Sequence, residues 1–231
     1  MIASVIAAAA LASPFSNFQV QEKFSLCSPC VQIGSQGINI LLNEILNVGV
    51  IGGCGKLCSV LPKGAERTVC DIGCSAVGIK TFINLIKKTD LDPIYFCEEI
   101  HACPAGRDDA AASVDANAVS PASGPSGGSG TTFAMEVDFT IINATGVGEI
   151  RIGISGGTQD VGQSFVNTGF APGRYSTNVT LTAQDDPSAQ PPVQWSPGTY
   201  EYTFEVCQGE CGSKHPHSKV FGKTTGSFQI V

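Results

Sequence analysis

The chain has 231 residues, 42% of them apolar and 14% charged, with a formal net charge of −7 at pH 7. That balance excludes a disordered polyelectrolyte and leaves room for one ordinary domain or two small ones. The charge is uneven: residues 21–103 hold seven Lys/Arg against eight Asp/Glu, and residues 104–231 hold six against twelve. An acidic C-terminal half without a basic stripe argues against nucleic acid as a partner, and no polybasic patch is offered to anionic lipid.

The chain opens with the apolar run MIASVIAAAALAS, in which Ala10-Leu11-Ala12 makes an A-x-A cleavage pattern. Residues 1–12 therefore read as a signal peptide, although its basic leading region is missing. No later stretch reaches the roughly 18 apolar residues of a spanning helix, so no transmembrane segment is expected. The ending SFQIV is too short for a lipid-anchor signal. The mature protein is expected to be secreted or luminal, the lysosome included.

Eight of the ten cysteines lie between Cys27 and Cys103. Such a load in a short segment behind a leader reads as a disulfide framework in an oxidising compartment. Val31, Ile38, Leu41, Leu42, Ile45 and Leu46 recur at threes and fours and predict a first helix, with Ser28-Pro29 as its start. A short helix to about Val60, the turn Leu61-Pro62-Lys63-Gly64 and a third helix follow. In that third helix Val69, Ile72, Ala76, Ile79, Ile83 and Ile86 share a stripe and Lys87-Lys88 close the last turn. Two helices folding back at that turn would bring Cys58 opposite Cys70, and Cys54 opposite Cys74 one turn further out. Asp92-Pro93 reads as the N-cap and first residue of a fourth helix carrying Cys97.

Residues 104–130 are rich in Ala, Ser, Gly and Pro and read as a linker, with a first strand near Val119. Beyond it the period becomes two. Phe133, Met135, Val137, Phe139 and Ile141 alternate with polar residues, as do stretches 148–155, 174–183 and 199–207. With 217–223 and 226–231 the total is about seven short strands, the pattern of a β-sandwich over residues 131–231.

The segment from 25 to 103 resembles a saposin B-type domain, on the marks C27-SP-C30, C58-SVLP ahead of Cys70, and C97-EEIHA-C103. The resemblance implies the nested pairs Cys27–Cys103, Cys30–Cys97 and Cys58–Cys70. Cys54 and Cys74 depart from that pattern, and their helical spacing predicts a fourth bridge. Saposin-like domains meet lipid with the inner face of their helices, which by position here includes Ile38, Leu42, Ile45, Val69, Ile79 and Ile83. A closed core would show the same pattern. Taken whole, the chain resembles the countin family of social amoebae, on NVGVIGGCGKLCSVLP, VGIKTFINLI, DPIYFCEEIHACP, SPASGPSGGSGTTF and CQGECGSKHPHS. The resemblance implies a subunit of a secreted factor by which aggregating cells limit group size through adhesion and motility. Its partners would be other secreted subunits or a cell-surface receptor, with lipid as the rival. The fold expected is thus an all-α, disulfide-linked, saposin-like helical domain followed by an all-β Ig-like sandwich.

Other candidate chemistry is weaker. Cys207 and Cys211 should close a local disulfide, which removes the thiolates that, with His215 and His217 on one strand face, would suggest zinc. Gly153-Ile-Ser155-Gly-Gly157 matches G-x-S-x-G, but a nucleophile elbow needs a strand-to-helix turn in a large α/β sheet. No enzyme, cofactor or metal is expected. His101 and the Asp185-Asp186 pair read as solvated. Asn143 and Asn178 are N-glycosylation acceptors, and strand parity turns Asn178 outward, opposite to Val179 and Leu181.

Overall fold

The computed structural model describes residues 27–47, 52–89, 92–125, 130–156, 160–188 and 192–231; the leader expected at 1–12 lies outside them. Helix α1 (Cys27–Asn47) buries Cys27, Cys30, Val31, Ile38, Leu41 and Ile45, a single stripe at helical spacing. Helices α2 (Cys54–Cys58) and α3 (Ala65–Val77) fold back on each other around the buried Leu61. Arg67 donates from Nη2 to the carbonyls of Ser59 (2.5 Å) and Leu61 (2.6 Å), satisfying acceptors left open beyond α2. Disulfides Cys54–Cys74 and Cys58–Cys70 cross-link this pair. Helix α4 (Ile79–Lys88) buries Phe82, Ile83, Leu85 and Ile86. Helix α5 (Pro93–Glu99) begins at an Asp92 N-cap whose Oδ1 accepts from the Tyr95 amide at 2.8 Å. Cys27–Cys103 and Cys30–Cys97 staple α1 to α5, closing separations of 76 and 67 residues.

Strands β1 (Ala111–Ser120), β3 (Thr131–Asn143) and β6 (Gly173–Ala183) form an antiparallel sheet in the order β1-β3-β6. Strands β2 (Ser123–Gly124), β4 (Gly148–Ser155), β5 (Val161–Asn167), β7 (Gly198–Gln208) and β8 (Lys219–Ile230) form a second, ordered β2-β8-β7-β4-β5. Residues 111–124, within the stretch read as a linker, thus carry β1 and β2. The core between the sheets takes the inward positions of β3, β4, β7 and β8, closed by Phe170 and Trp195. Each fully buried Phe there, such as Phe133 or Phe204, contributes about 2–3 kcal/mol by leaving water.

An Ig-like sandwich behind a separate saposin-like domain is not what forms. The β-rich part is a curled half-barrel, because β1 and β8 meet although they belong to different sheets. Asn117 donates from Nδ2 to the Thr224 hydroxyl and to the Thr225 carbonyl (3.2 Å), and its Oδ1 accepts from the Tyr202 hydroxyl at 2.8 Å. Two glycines allow β8 to curl inward as one strand where the sequence suggested two. A Cβ at Gly222 would stand 2.8 Å from Val114 Cγ2, and one at Gly226 would collide with the Tyr202 hydroxyl. The helical part is short, with only 5 residues in α2 and 7 in α5. It also borrows core from its neighbour: Val147, between β3 and β4, is 0% exposed and packs in the helical cluster.

Candidate functional site

The six residues assigned by position to an inner helical face all lie in that helical cluster. Ile38, Ile45 and Ile83 are buried, and Leu42, Val69 and Ile79 are partly buried against them. Between α1, α3 and α5 a cavity of about 20 Å³ remains, lined by Ile38, Leu41, Val69, Phe82 and Phe96, with Glu66 at its margin. That is room for about one water, whereas ligand pockets run to about 300 Å³ or more. That cavity is too small for an acyl chain.

The chemistry concentrates instead where the helices meet the half-barrel. The C-Q-G-E-C segment ends β7, and Cys207–Cys211 is a disulfide. Between the two cysteines Gln208 is 1% exposed and spans three pieces of chain. Its Oε1 accepts from the Gly146 amide (2.6 Å), and its Nε2 donates to the carbonyls of Arg107 (2.9 Å) and His217 (2.7 Å). Glu149, also buried, accepts from the Cys211 amide at 2.6 Å. Arg151 donates to Glu205 and to the Cys211 carbonyl (2.8 Å), fixing the loop from the strand side.

His215 and His217 do not share a strand face; they stand in the turn before β8. The His215 ring stacks on Tyr95 of α5, centroids 4.1 Å apart and nearly parallel, with Nε2 at 2.9 Å from the Thr89 carbonyl. Tyr95 in turn accepts from Lys88 Nζ at 2.7 Å, which raises the lysine's pKa. His217 sits at φ 67°, a region sparsely used by non-glycine residues, and its Nδ1 lies 2.6 Å from Asp108 Oδ1. The seam also collects carboxylates. Burial pushes Glu98 up to about 7, helped by Asp92 and Glu99 and opposed by His217. Burial likewise pushes Glu210 up to about 7, helped by Asp92 and Glu149 and opposed by Arg151. No group of three or more metal-ligating side chains comes together among the described residues.

The remaining candidates lie apart. Ser155 ends β4 opposite Glu201 and is exposed, and the next element among the described residues is strand β5. It stands six residues along the strand from Glu149, hence about 20 Å from that residue of the seam. His101 is exposed in the turn after α5. Asp185 and Asp186 pin a loop: Asp185 accepts from the Trp195 amide (2.7 Å) and Asp186 from the Ser188 amide (2.9 Å). Asn178 is exposed on β6, the outer strand of its sheet, opposite Glu136. Asn143, exposed at the end of β3, donates to the Asp109 carbonyl at 2.8 Å. Sequence reasoning did not find Gln208, Tyr95 or Glu149. The CQGECGSKHPHS phrase marked the place, but its partners are 60 to more than 120 residues away.

Residues 25–101 match the countin N-terminal domain and residues 112–231 the countin C-terminal domain. The chain belongs to the countin family. It is 38% identical to Countin-1 of Dictyostelium discoideum over 216 residues, 93% of this chain and 81% of that protein. To Countin-3 of the same organism it is 34% identical, over 89% of each chain. The seam phrase and Asp92-Pro93 therefore sit in the two countin domains that the match spans. Among solved structures, the chain is similar to an alkylpurine DNA glycosylase of Pseudomonas fluorescens at a TM-score of 0.36, with 11% identity, covering 84% of this chain and 45% of that one. A likeness of that size carries no argument.

Proposed function

We propose that this countin-family chain is a secreted, non-catalytic signalling factor that contacts other secreted subunits or a cell-surface receptor and limits the size of cell aggregates through adhesion and motility. The observation that carries the reading is the match to both countin domains along nearly the whole chain. The structure supports an extracellular life: all ten cysteines are paired, a state that an oxidising compartment maintains. It supports a protein ligand over a lipid carrier, since the helical core is closed around a one-water cavity. The position of Ser155 on an exposed strand end supports a non-catalytic role.

The test is to add the purified full-length protein to aggregating social-amoeba cells and measure group size. A dose-dependent fall, unchanged in a Ser155→Ala variant, is expected. A second reading, a membrane-perturbing effector, is favoured by exposed Ile40, Leu46 and Ile72 on α1 and α3. Leakage of liposomes at low protein, together with unchanged group size, would replace the first reading with the second.

A further inference from the structure

Of the sheet edges among the described residues, β5 is the one left bare. Strand β1 is closed by β8, whose Thr225 carbonyl accepts from Asn117, and β2, only 2 residues long, lies along β8. Strand β6 is an outer strand too, but it carries the charge of Arg174 and the exposed glycan acceptor Asn178. Strand β5, VGQSFVN, pairs with β4 on one side in unbroken register and holds no charge, proline or bulge. Those are the devices by which proteins keep a long edge from pairing with another chain. Helix α1 meets β5, and the helices lie toward its Asn167 end, because Asn167 pairs with Gly148, next to Val147 of the helical core. Gly162, Gln163, Ser164 and Val166 stay exposed.

We propose that β5 pairs antiparallel with β5 of a second copy of this chain, about a two-fold axis at Ser164, so that two half-barrels share one continuous sheet. Val161 and Phe165 turn inward to the half-barrel core, and Gly162, Ser164 and Val166 turn outward. A two-fold at Ser164 sets Ser164 against its own copy and Val166 against Gly162 of the copy, and it keeps every residue on its own face. Val166 is 46% exposed. Gly162 stands opposite Gly153 of β4, and together they leave a hollow on the outer face. A Cβ at Gly153 would meet nothing within 4 Å, and one at Gly162 only the Ile152 carbonyl oxygen, at 3.4 Å. Each copy's Val166 fills the hollow of the other, so one complementarity is met twice. That self-match selects a second copy over a foreign strand. Charge selects it too, because two chains of net charge −7 repel least where neither bears a charge. One pair of short strands is a smaller interface than the roughly 1,200 Å² that stable complexes bury, so the dimer is weak and reversible.

The test is sedimentation of the full-length protein from about 1 to about 500 µM, which should carry the wild type from monomer to dimer with a midpoint between about 10 and 200 µM. Ser164→Lys and Ser164→Glu each set like charges directly opposite across the axis. Each should weaken the dimer by about fivefold or more and leave the far-ultraviolet ellipticity unchanged, since Ser164 is exposed. An equimolar mixture of the two variants sets Lys against Glu and should restore association. A wild type that stays monomeric at about 500 µM would overturn the proposal. So would a dimer that both variants leave intact, or a mixture that associates no better than either variant alone. If a variant does not fold, hydrogen–deuterium exchange of the wild type decides without substitution. Protection of residues 161–167 that rises with protein concentration upholds the pairing, and protection that stays flat overturns it.

Discussion

Replacing Gln208 by methionine keeps the length of the side chain and removes every hydrogen bond its amide makes. Three partners are stranded: the Gly146 amide and the carbonyls of Arg107 and His217. The Gly146 amide is in a buried residue, and leaving it unsatisfied costs about 1–3 kcal/mol. Arg107 and His217 are exposed residues whose carbonyls regain water, so each loses only about 0.5 kcal/mol. The thioether returns roughly 1 kcal/mol by burial, which leaves a net loss of about 1–3 kcal/mol. Urea denaturation, followed by far-ultraviolet ellipticity and by Trp195 fluorescence, measures this. Gln208→Glu sharpens the argument. Its carboxylate still accepts from Gly146 but repels two carbonyls, and only the protonated acid can donate to one of them. That variant should therefore lose more stability at about pH 8 than at about pH 5. A methionine variant within about 0.5 kcal/mol of wild type would refute the reasoning, since surface substitutions fall in that range.

Removing the extra bridge with Cys54→Ala/Cys74→Ala opens a separation of 20 residues that already contains the 12-residue Cys58–Cys70 link. Counting the path through the inner bridge as roughly ten residues, loop entropy gives a loss of about 3 kcal/mol in denaturant unfolding, and a loss under about 1 kcal/mol would contradict it. Asn178→Gln should lower the intact mass of the secreted protein by one glycan, because Asn178 is exposed on an outer strand; an unchanged mass would show the acceptor unused. Val147→Ala, although outside the helical segment in sequence, should lower the stability reported by the helices by about 1–3 kcal/mol, the cost of emptying part of their core.

The helical region was legible because its signals are local. Asp92-Pro93 caps α5 as the residue types required, and the i,i+4 cysteines pair across the α2–α3 turn. Strands β3, β4 and β7 were legible from alternation, since one face of each is buried. Strand β1 was legible only as a strand near Val119, within a stretch read as linker: AASVDANAVS is poor in β-formers, and it is held by pairing with β3 and by Asn117 reaching β8. Strand β5, VGQSFVN, lies at a sheet edge and is mostly exposed, so no alternation marks it. The half-barrel was hidden because 217–223 and 226–231 read as two strands, whereas Gly222 and Gly226 admit Val114 and Tyr202 and let one strand curl. The seam is longest in range of all. Nothing near His215 in sequence announces that its partners are Tyr95 and Thr89.

With Val147 packed in the helical core and His215 set against Tyr95 and Thr89, the helices and the half-barrel should unfold as one cooperative unit. Two probes separate the parts: among the described residues all helices lie before residue 100, and the single tryptophan, Trp195, is buried in the half-barrel. Thermal unfolding at about pH 5.5, followed by helical ellipticity and by tryptophan fluorescence on the same sample, should give one coincident midpoint. Two midpoints separated by more than about 10 °C would show two independent domains and contradict the account.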